Sequence, residues 1–117
     1  MEKFRSLKVW QKSHYLVLEV YKVTRDYPDF EKFGLVSQMR RSSVSVVANI
    51  VEGSKKVSIK DRKHFHVIAD ASLEELKYYF ILSYNLKYID SEVGKKLMEC
   101  AREVGRMLSG LTKSLSK

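Results

Sequence analysis

The stretch QMRRSSVSVVANIVEG, Gln38 to Gly53, decides the fold of this chain. On an α-helix, at about 100° per residue, this stretch and the residues just before it separate into an apolar and a polar face. The apolar face holds Leu35, Val36, Met39, Val44, Val46, Val47, Ile50 and Val51, interrupted by Arg40 and Ser43. The polar face is one narrow stripe, spaced by three and four residues, of Gln38, Ser42, Ser45, Asn49 and Glu52.

The polar stripe differs from an ordinary solvent-exposed helix face because Ser and Asn are poor helix formers that compete for backbone hydrogen bonds. Small polar side chains suit a close approach between helices, with hydrogen bonds in place of bulk. We therefore predict that this helix is covered on both sides. The side chains predicted to contact a neighbouring helix or subunit are Gln38, Arg40, Arg41, Ser45, Asn49 and Glu52.

The two arginines have alternative interpretations. Arg40 lies within the apolar arc, where an unpaired guanidinium is costly, so it must reach the rim or pair with a carboxylate. Arg41 lies on the polar side. Each of them fits either a subunit contact or a basic surface.

The composition fits one globular domain, and we assign residues 1–117 to it. Five Gly and one Pro are few for a sheet protein, whose turns need more of both. The sequence has no apolar run of membrane-spanning length and no signal-peptide core near its start. Cys100 is the single cysteine and cannot form an internal disulfide. We therefore expect a cytoplasmic protein without a membrane partner.

Four helices account for the apolar periodicity. The first is predicted from Ser6, as its N-cap, to about Asp26, because the residue before Pro28 is disfavoured in a helix. Its three-four spacing consists of Leu7, Trp10, His14, Val17, Tyr21 and Thr24, and the face is widened by Val9, Leu16, Val20 and Val23. In the connection that follows, Phe30 and Phe33 are expected to pack down as a lid.

Glycines and caps mark the other three helices. Gly34 is predicted to open the second helix and Gly53 to close it with a left-handed cap. A capping box beginning at Ser58 opens the third, which continues to about Tyr88, and Asp90 caps the fourth. The predicted core face of the third helix is Phe65, Ile68, Ala69, Ser72, Leu73, Leu76, Tyr79, Phe80, Leu86 and Ile89, and that of the fourth is Val93, Leu97, Cys100, Val104, Leu108, Leu111 and Leu115. Short connections predict an all-α fold, an antiparallel up-down-up-down four-helix bundle.

Metal and nucleophile chemistry finds little support in the sequence. His64 and His66 are about 200° apart on a helix, so they cannot chelate one metal from one face. Cys100 lies on an apolar stripe, where a small buried side chain is the simpler interpretation. The serines near Ser42 have no histidine in their segment to act as a base. An enzyme would require a pocket that gathers Glu52, Glu75 and His66, and the sequence gives no sign that these side chains converge. We therefore expect no catalytic residues, no metal and no cofactor.

The basic residues are more informative, because the net charge is +8. Most of the excess lies in the two terminal segments of the chain, and two stripes on the first and last helices concentrate it. The predicted nucleic-acid-binding residues are Lys8, Lys12, Lys22, Lys95, Arg102 and Arg106. The stripes fit a phosphate-contacting surface, and they equally fit a solvated face that keeps the protein soluble.

Motifs along the whole chain resemble a known bacterial family. The pattern F-x-x-L-x-V-W-Q-K spans Phe4 to Lys12, and further matching positions are Tyr21, Thr24, Pro28, Glu31, Gly34, Leu35, Gln38, Arg40, Arg41, Ser45, Ala48, Asn49, Ile50, Glu52 and Gly53, followed by the ADASLEEL segment of residues 69–76. This combination resembles the four-helix-bundle proteins of intervening sequences in large-subunit ribosomal RNA genes, also called the S23 ribosomal protein family. Val47 and Ala71 depart from the family, which usually has proline and glycine there.

The resemblance implies a partner set as well as a fold. It implies a homo-oligomer, a ring-like homopentamer, related to the accessory variability determinants of diversity-generating retroelements, which bind nucleic acid and a reverse transcriptase. The leading hypothesis is a non-enzymatic oligomeric accessory protein that binds RNA or DNA, RNA in the first place, through a basic surface. The alternative is a protein-protein interaction scaffold, for example a reverse-transcriptase partner, without direct nucleic-acid binding.

Overall fold

The computed structural model describes residues 2–115, which form four long helices. They are α1 (Lys8–Thr24), α2 (Leu35–Lys55), α3 (Ile59–Asn85) and α4 (Ser91–Ser114), with short 3-10 turns at Lys3–Ser6 and Asp29–Glu31. No strand occurs among the described residues. The molecule is elongated, with principal extents of 45 × 24 × 23 Å. The predicted all-α fold is confirmed.

Neighbouring helices run in opposite directions, as the contacts between them show. Between α2 and α3, Ser45 meets Ser72, whereas the earlier Met39 meets the later Ser83. Helices that follow one another in the sequence pack together, and α1 also contacts α4, so the four helices form a closed circle. The arrangement is an antiparallel four-helix bundle with the order α1, α2, α3, α4 around its axis.

The core is a single apolar cluster along the bundle axis. Its fully buried large side chains include Leu16, Met39, Ile50, Leu73, Leu76, Phe80 and Leu108. On α1 the predicted face was rotated, because Val9, Ser13, Leu16, Val20 and Thr24 form the buried stripe while His14 and Tyr21 are exposed. Small polar Ser13 hid this register from the apolar pattern, and its hydroxyl is satisfied by the Trp10 carbonyl at 3.0 Å.

Helix ends agree with the prediction at three positions. Gly34 precedes α2, the Ser58 hydroxyl accepts from Asp61 N at 3.1 Å, and the Asp90 carboxylate accepts from Val93 N at 2.8 Å. Ser6 was wrong as the cap of α1, because it lies in the preceding 3-10 turn and Leu7 takes the cap position. α3 ends at Asn85, short of the predicted Tyr88. Lys87, two residues after the helix, has a φ of 65°, which is outside the right-handed helical region.

Several aromatic and aliphatic side chains were wrongly predicted to be buried. Phe30 and Phe33 are 80% and 89% exposed, so they form no lid, and Leu86 is 45% exposed. The connection is anchored instead by Tyr27 against Tyr88, whose rings lie 5.0 Å apart. Tyr88 also donates to Glu31 Oε2 at 2.9 Å. Val44 is likewise 43% exposed on the outer face of α2.

Gly53 does not close α2, contrary to the prediction. The helix continues to Lys55, and no glycine among the described residues has a positive φ. Gly53 is buried where α2 meets the start of α3, and a Cβ there would lie 3.3 Å from Phe65 Cβ and 3.4 Å from His66 Cδ2. This glycine therefore sets a close approach between the helices.

We predict that Gly53→Val lowers the free energy of unfolding by about 1–3 kcal/mol through overpacking against Phe65 and His66. Gly110→Val on α4 is the matched control, because a Cβ at Gly110 meets nothing within 4 Å. Valine and glycine differ by only about 0.5 kcal/mol in helix propensity, in favour of valine. Chemical denaturation of the two variants measures both values, and equal stabilities would contradict the packing role of Gly53.

Candidate nucleic-acid interface

The polar stripe of α2 meets α3 at Ser45. Ser45 Oγ and Ser72 Oγ are 2.8 Å apart, and Asn49 Nδ2 donates to the Ser45 carbonyl at 2.8 Å. Ser45 and Asn49 are thus already used within the bundle. Gln38 is exposed, and exposed Glu52 forms an ion pair with Lys56 at 3.8 Å.

Arg40 pairs with neutral groups of α1 and not with a carboxylate. Its Nε donates to Thr24 Oγ1 at 3.0 Å and its Nη2 to the Tyr21 carbonyl at 3.4 Å, while the guanidinium lies 4.5 Å from the centre of the Tyr21 ring. Thr24 can accept because its own hydroxyl donates to the Val20 carbonyl at 2.7 Å. The charge of half-buried Arg40 therefore stays uncompensated, and exposed Arg41 lies one residue further along α2.

The six predicted nucleic-acid-binding residues are divided between the adjacent helices α1 and α4, and we call this set of residues the seam. Because the two helices are antiparallel and Lys12 pairs with Glu103, Lys8 is near the level of Arg106 and Lys22 near that of Lys95. Lys95 and Arg102 also line a groove between α3 and α4. The α1 stripe therefore faces α4, whereas Lys95 and Arg102 of the α4 stripe face the groove that α4 shares with α3.

Carboxylates interrupt this seam. Lys12 Nζ lies 3.5 Å from Glu103 Oε2, and Arg106 Nη2 lies 2.9 Å from Glu99 Oε1. The hydrogen bond from Arg106 lowers the pKa of Glu99, which keeps that carboxylate charged. The remaining four residues are exposed and form no ion pair within residues 2–115: Lys8, Lys22, Lys95 and Arg102.

A second group of cations, overlooked in the sequence, gathers at one end of the bundle. We define the basic end as residues 2–8, 52–66 and 112–115. Along the bundle axis, these residues lie at the level of the 2.8 Å hydrogen bond between His66 Nδ1 and Thr112 Oγ1, or between that level and the end of the bundle where α2 connects to α3. The basic end holds three acidic side chains and nine basic ones: Lys3, Arg5, Lys8, Lys55, Lys56, Lys60, Arg62, Lys63 and Lys113. Its net charge is therefore +6, out of +8 for the whole chain. The signal in the sequence is the run KKVSIKDRK at residues 55–63, which also forms a turn and the start of a helix.

A cavity of about 340 Å³ opens at the basic end, where α2, α3 and α4 meet the first 3-10 turn and Leu7. Its walls are mostly apolar and include Leu7, Ile50 and Leu111, and its polar lining includes Lys3 and Arg62. Arg62 is held in place because its Nε donates to the Lys56 carbonyl at 2.6 Å. The site therefore combines an apolar interior with cations.

The groups that would have supported an enzyme lie apart. Glu52 pairs with Lys56, and Glu75 accepts from the Tyr79 hydroxyl at 2.8 Å. His66 and Glu75 are nine residues apart on α3, about 14 Å along the axis. Burial raises the pKa of the Cys100 thiol. Within residues 2–115 no group of three or more His, Cys, Asp or Glu side chains is arranged to hold a metal ion.

His66 is a buried neutral imidazole near the cavity. Thr112 donates its hydroxyl proton to the Leu108 carbonyl at 3.0 Å, so His66 Nδ1 donates to Thr112 Oγ1. Burial, and then the nearby charge of Arg62, lower the pKa of His66 below its usual value. The folded protein therefore binds a proton at this site less readily than the unfolded chain does.

We predict that this histidine makes the fold sensitive to acid. The unfolded imidazole takes up a proton near pH 6.5 while the folded one resists it, so the contribution of His66 to stability is present above about pH 6.5 and is lost as the pH falls below it. The fall in Tm between about pH 7.5 and 5.5 should be smaller in His66→Gln than in the unmodified protein. The control is His64→Gln, because His64 is exposed. If His66→Gln showed the same fall in Tm as the unmodified protein, the assignment of the acid sensitivity to His66 would be contradicted.

Fold and surface together define a class of protein: a small basic helical bundle whose cations concentrate at one end and along one seam. The 23S rRNA-intervening sequence protein family matches residues 5–110, so the chain belongs to this family. No helix among the described residues is long and apolar enough to cross a membrane.

One solved structure is similar over nearly its whole length. It is a protein of unknown function of the S23 ribosomal protein family from Bacteroides thetaiotaomicron, with a TM-score of 0.80 and 25% sequence identity. The similarity covers 90% of this chain and 98% of that one. No curated protein matches the sequence.

Proposed function

We propose that this protein is a non-enzymatic, oligomeric nucleic-acid-binding protein that acts on RNA through its basic surface. The observation that carries the proposal is the set of exposed cations without an ion pair within residues 2–115, which includes Lys3, Lys55 and Lys60 at the basic end. Such cations are free to replace counterions on phosphates, which is the main source of nucleic-acid affinity. Family membership agrees with RNA as the polymer.

We predict salt-sensitive binding of the protein to RNA. Titration of labelled RNA and DNA at about 50 and 200 mM salt should give a loss of affinity of about 10³-fold or more for a surface that makes six phosphate contacts. Sequence preference should be weak, because phosphate contacts carry no direct sequence information. Absence of binding to either polymer at low salt would refute the proposal.

Self-association is the second part of the proposal, and the outer side of α2 is the surface that favours it. Phe33 is 89% exposed and Val44 43% exposed, and both line one groove with Arg40 and Arg41. Phe33 and Val44 are costly to leave in water. The predicted contact residues Gln38 and Glu52 are exposed on the same helix, so we place the subunit contact there.

We predict that Phe33→Glu combined with Val44→Glu lowers the mass of the oligomer, because carboxylates remove the apolar contact that Phe33 and Val44 would make and are costly to desolvate. Sedimentation at micromolar concentration should give an oligomer, a pentamer by the family resemblance, for the unmodified protein and a smaller species for the variant. Val67→Glu is the control, since Val67 is 66% exposed on α3. A monomeric unmodified protein would overturn this part.

A scaffold for another protein, such as a reverse transcriptase, is the second candidate function. The groove between α3 and α4 favours it, because Ile81 and Tyr84 are about half exposed there, at 50% and 51%. Pull-down from the source cell with and without nuclease separates the two functions. Retention of one protein partner after nuclease treatment, together with failure of the RNA titration, would favour the scaffold.

A further inference from the structure

We propose that the basic end is the principal nucleic-acid contact, and that it binds a single strand. This inference rests on the proposed function and changes its location, because the predicted residues of the α1–α4 seam are then secondary except for Lys8, which lies at the basic end. The first observation is the distribution of charge. The basic end carries a net charge of +6, whereas all remaining residues together contribute +2.

Helix stability accounts for only part of this concentration of cations. Lys60 lies in the first turn of α3, and Lys8 opens α1. Cations are unfavourable at the positive N-terminal end of the helix dipole, so each of these side chains is placed against the local field. Three cations at helix C-termini agree with the dipole, Lys55, Lys56 and Lys113, and Arg62 agrees with it by donating to the Lys56 carbonyl at the end of α2.

Mutual repulsion adds to this cost. The end of the bundle is only about 24 Å across, so several cations lie within one or two Debye lengths, about 8–10 Å each, of one another. One ion pair at this end, between Glu52 and Lys56, is exposed and long at 3.8 Å, so it offsets little of the repulsion. A polyanion removes the repulsion by neutralising many of the cations at once.

The cavity favours a single strand over a duplex. Its volume, about 340 Å³, is in the lower part of the range of small-ligand sites, and its interior is apolar with Lys3 and Arg62 in its lining. An unpaired base can leave its stack and enter such a space, whereas a base inside a duplex cannot. Phe4 also lines the cavity, and its ring contacts Trp10 edge-on at 5.5 Å. An aromatic wall beside cations is the combination that single-strand-binding surfaces use.

Two triple variants with the same loss of charge test the location. The first is Lys3→Ala, Lys55→Ala, Lys60→Ala at the basic end, and the matched control is Lys22→Ala, Lys95→Ala, Arg102→Ala on the seam. All six side chains are exposed and none forms an ion pair within residues 2–115, so both variants should fold. Thermal unfolding of both verifies this.

Binding is measured on the full chain with a fluorescent single-stranded RNA of about 20 nucleotides, which spans more than one single-strand site, and with a duplex of the same sequence. Three lost contacts lower the salt slope by about 2 and weaken single-strand binding about 100-fold at 0.1 M salt. We expect this for the basic-end variant and a change of less than about threefold for the seam variant, whose side chains make no such contacts. The unmodified protein should prefer the single strand.

The remaining outcomes separate the two levels of the proposal. If the unmodified protein binds neither RNA, the proposed function itself fails. If it binds RNA and the seam variant loses as much affinity as the basic-end variant, or more, the function stands and the location is wrong. Equal affinity for single strand and duplex contradicts the role of the cavity. Anionic phospholipid vesicles are the third probe, and a basic-end variant that loses vesicle binding but keeps RNA binding would identify a membrane surface as the ligand.

Discussion

The close approach of α2 and α3 is the constraint on which the rest of the bundle depends. At one end, Gly53 gives α3 room to lie within van der Waals distance of α2, with Phe65 Cβ only 3.3 Å from a notional Cβ. Nearer the middle, the hydroxyls of Ser45 and Ser72 replace bulk by a hydrogen bond of 2.8 Å. Neither contact tolerates a large side chain, so the small residues of α2 fix the distance and register of this pair.

The same approach places the cations of the molecule. Because α2 and α3 are joined by a short connection, the basic residues on both sides of it, from Lys55 to Lys63, must lie at one end of the bundle. The antiparallel topology brings the N-terminal turn with Lys3 and Arg5, and the end of α4 with Lys113, to that same end. Charges that are distant in the sequence are thereby concentrated in space, while the seam between α1 and α4 is partly neutralised by Glu99 and Glu103.

The sequence was sufficient to predict the helices and their packing order, because long three-four apolar spacings and short connections leave one topology. It was insufficient wherever burial depended on a small or polar side chain. Ser13 is 1% exposed at the centre of α1, and apolar counting placed the face elsewhere. Phe30 and Phe33 were expected to pack down as a lid, but Phe30 lies in the 3-10 turn Asp29–Glu31, Phe33 follows it, and both side chains are exposed.

The candidate site was predictable only in part for a related reason. Each stripe of cations could be located on its own helix, but not the carboxylates that a neighbouring helix would bring to it. Lys12 meets Glu103 across 91 residues of sequence. Conversely, the run at residues 55–63 looked like an ordinary polar turn, and its importance appears only when Lys3 and Lys113 are placed beside it.

The segregation of charge gives the elongated bundle a strong electrostatic polarity along its 45 Å axis. In a ring generated by rotation alone, every copy points the same way along the symmetry axis. In a ring whose bundles stand parallel to that axis, all the positively charged ends would meet at one rim, and the opposite rim would be nearly neutral. Such an assembly has two unlike faces, so a polyanion could approach one of them far more readily than the other, and it would meet several identical ends in succession. The rotational symmetry of an assembly would in this way multiply an asymmetry that is already present in a single chain.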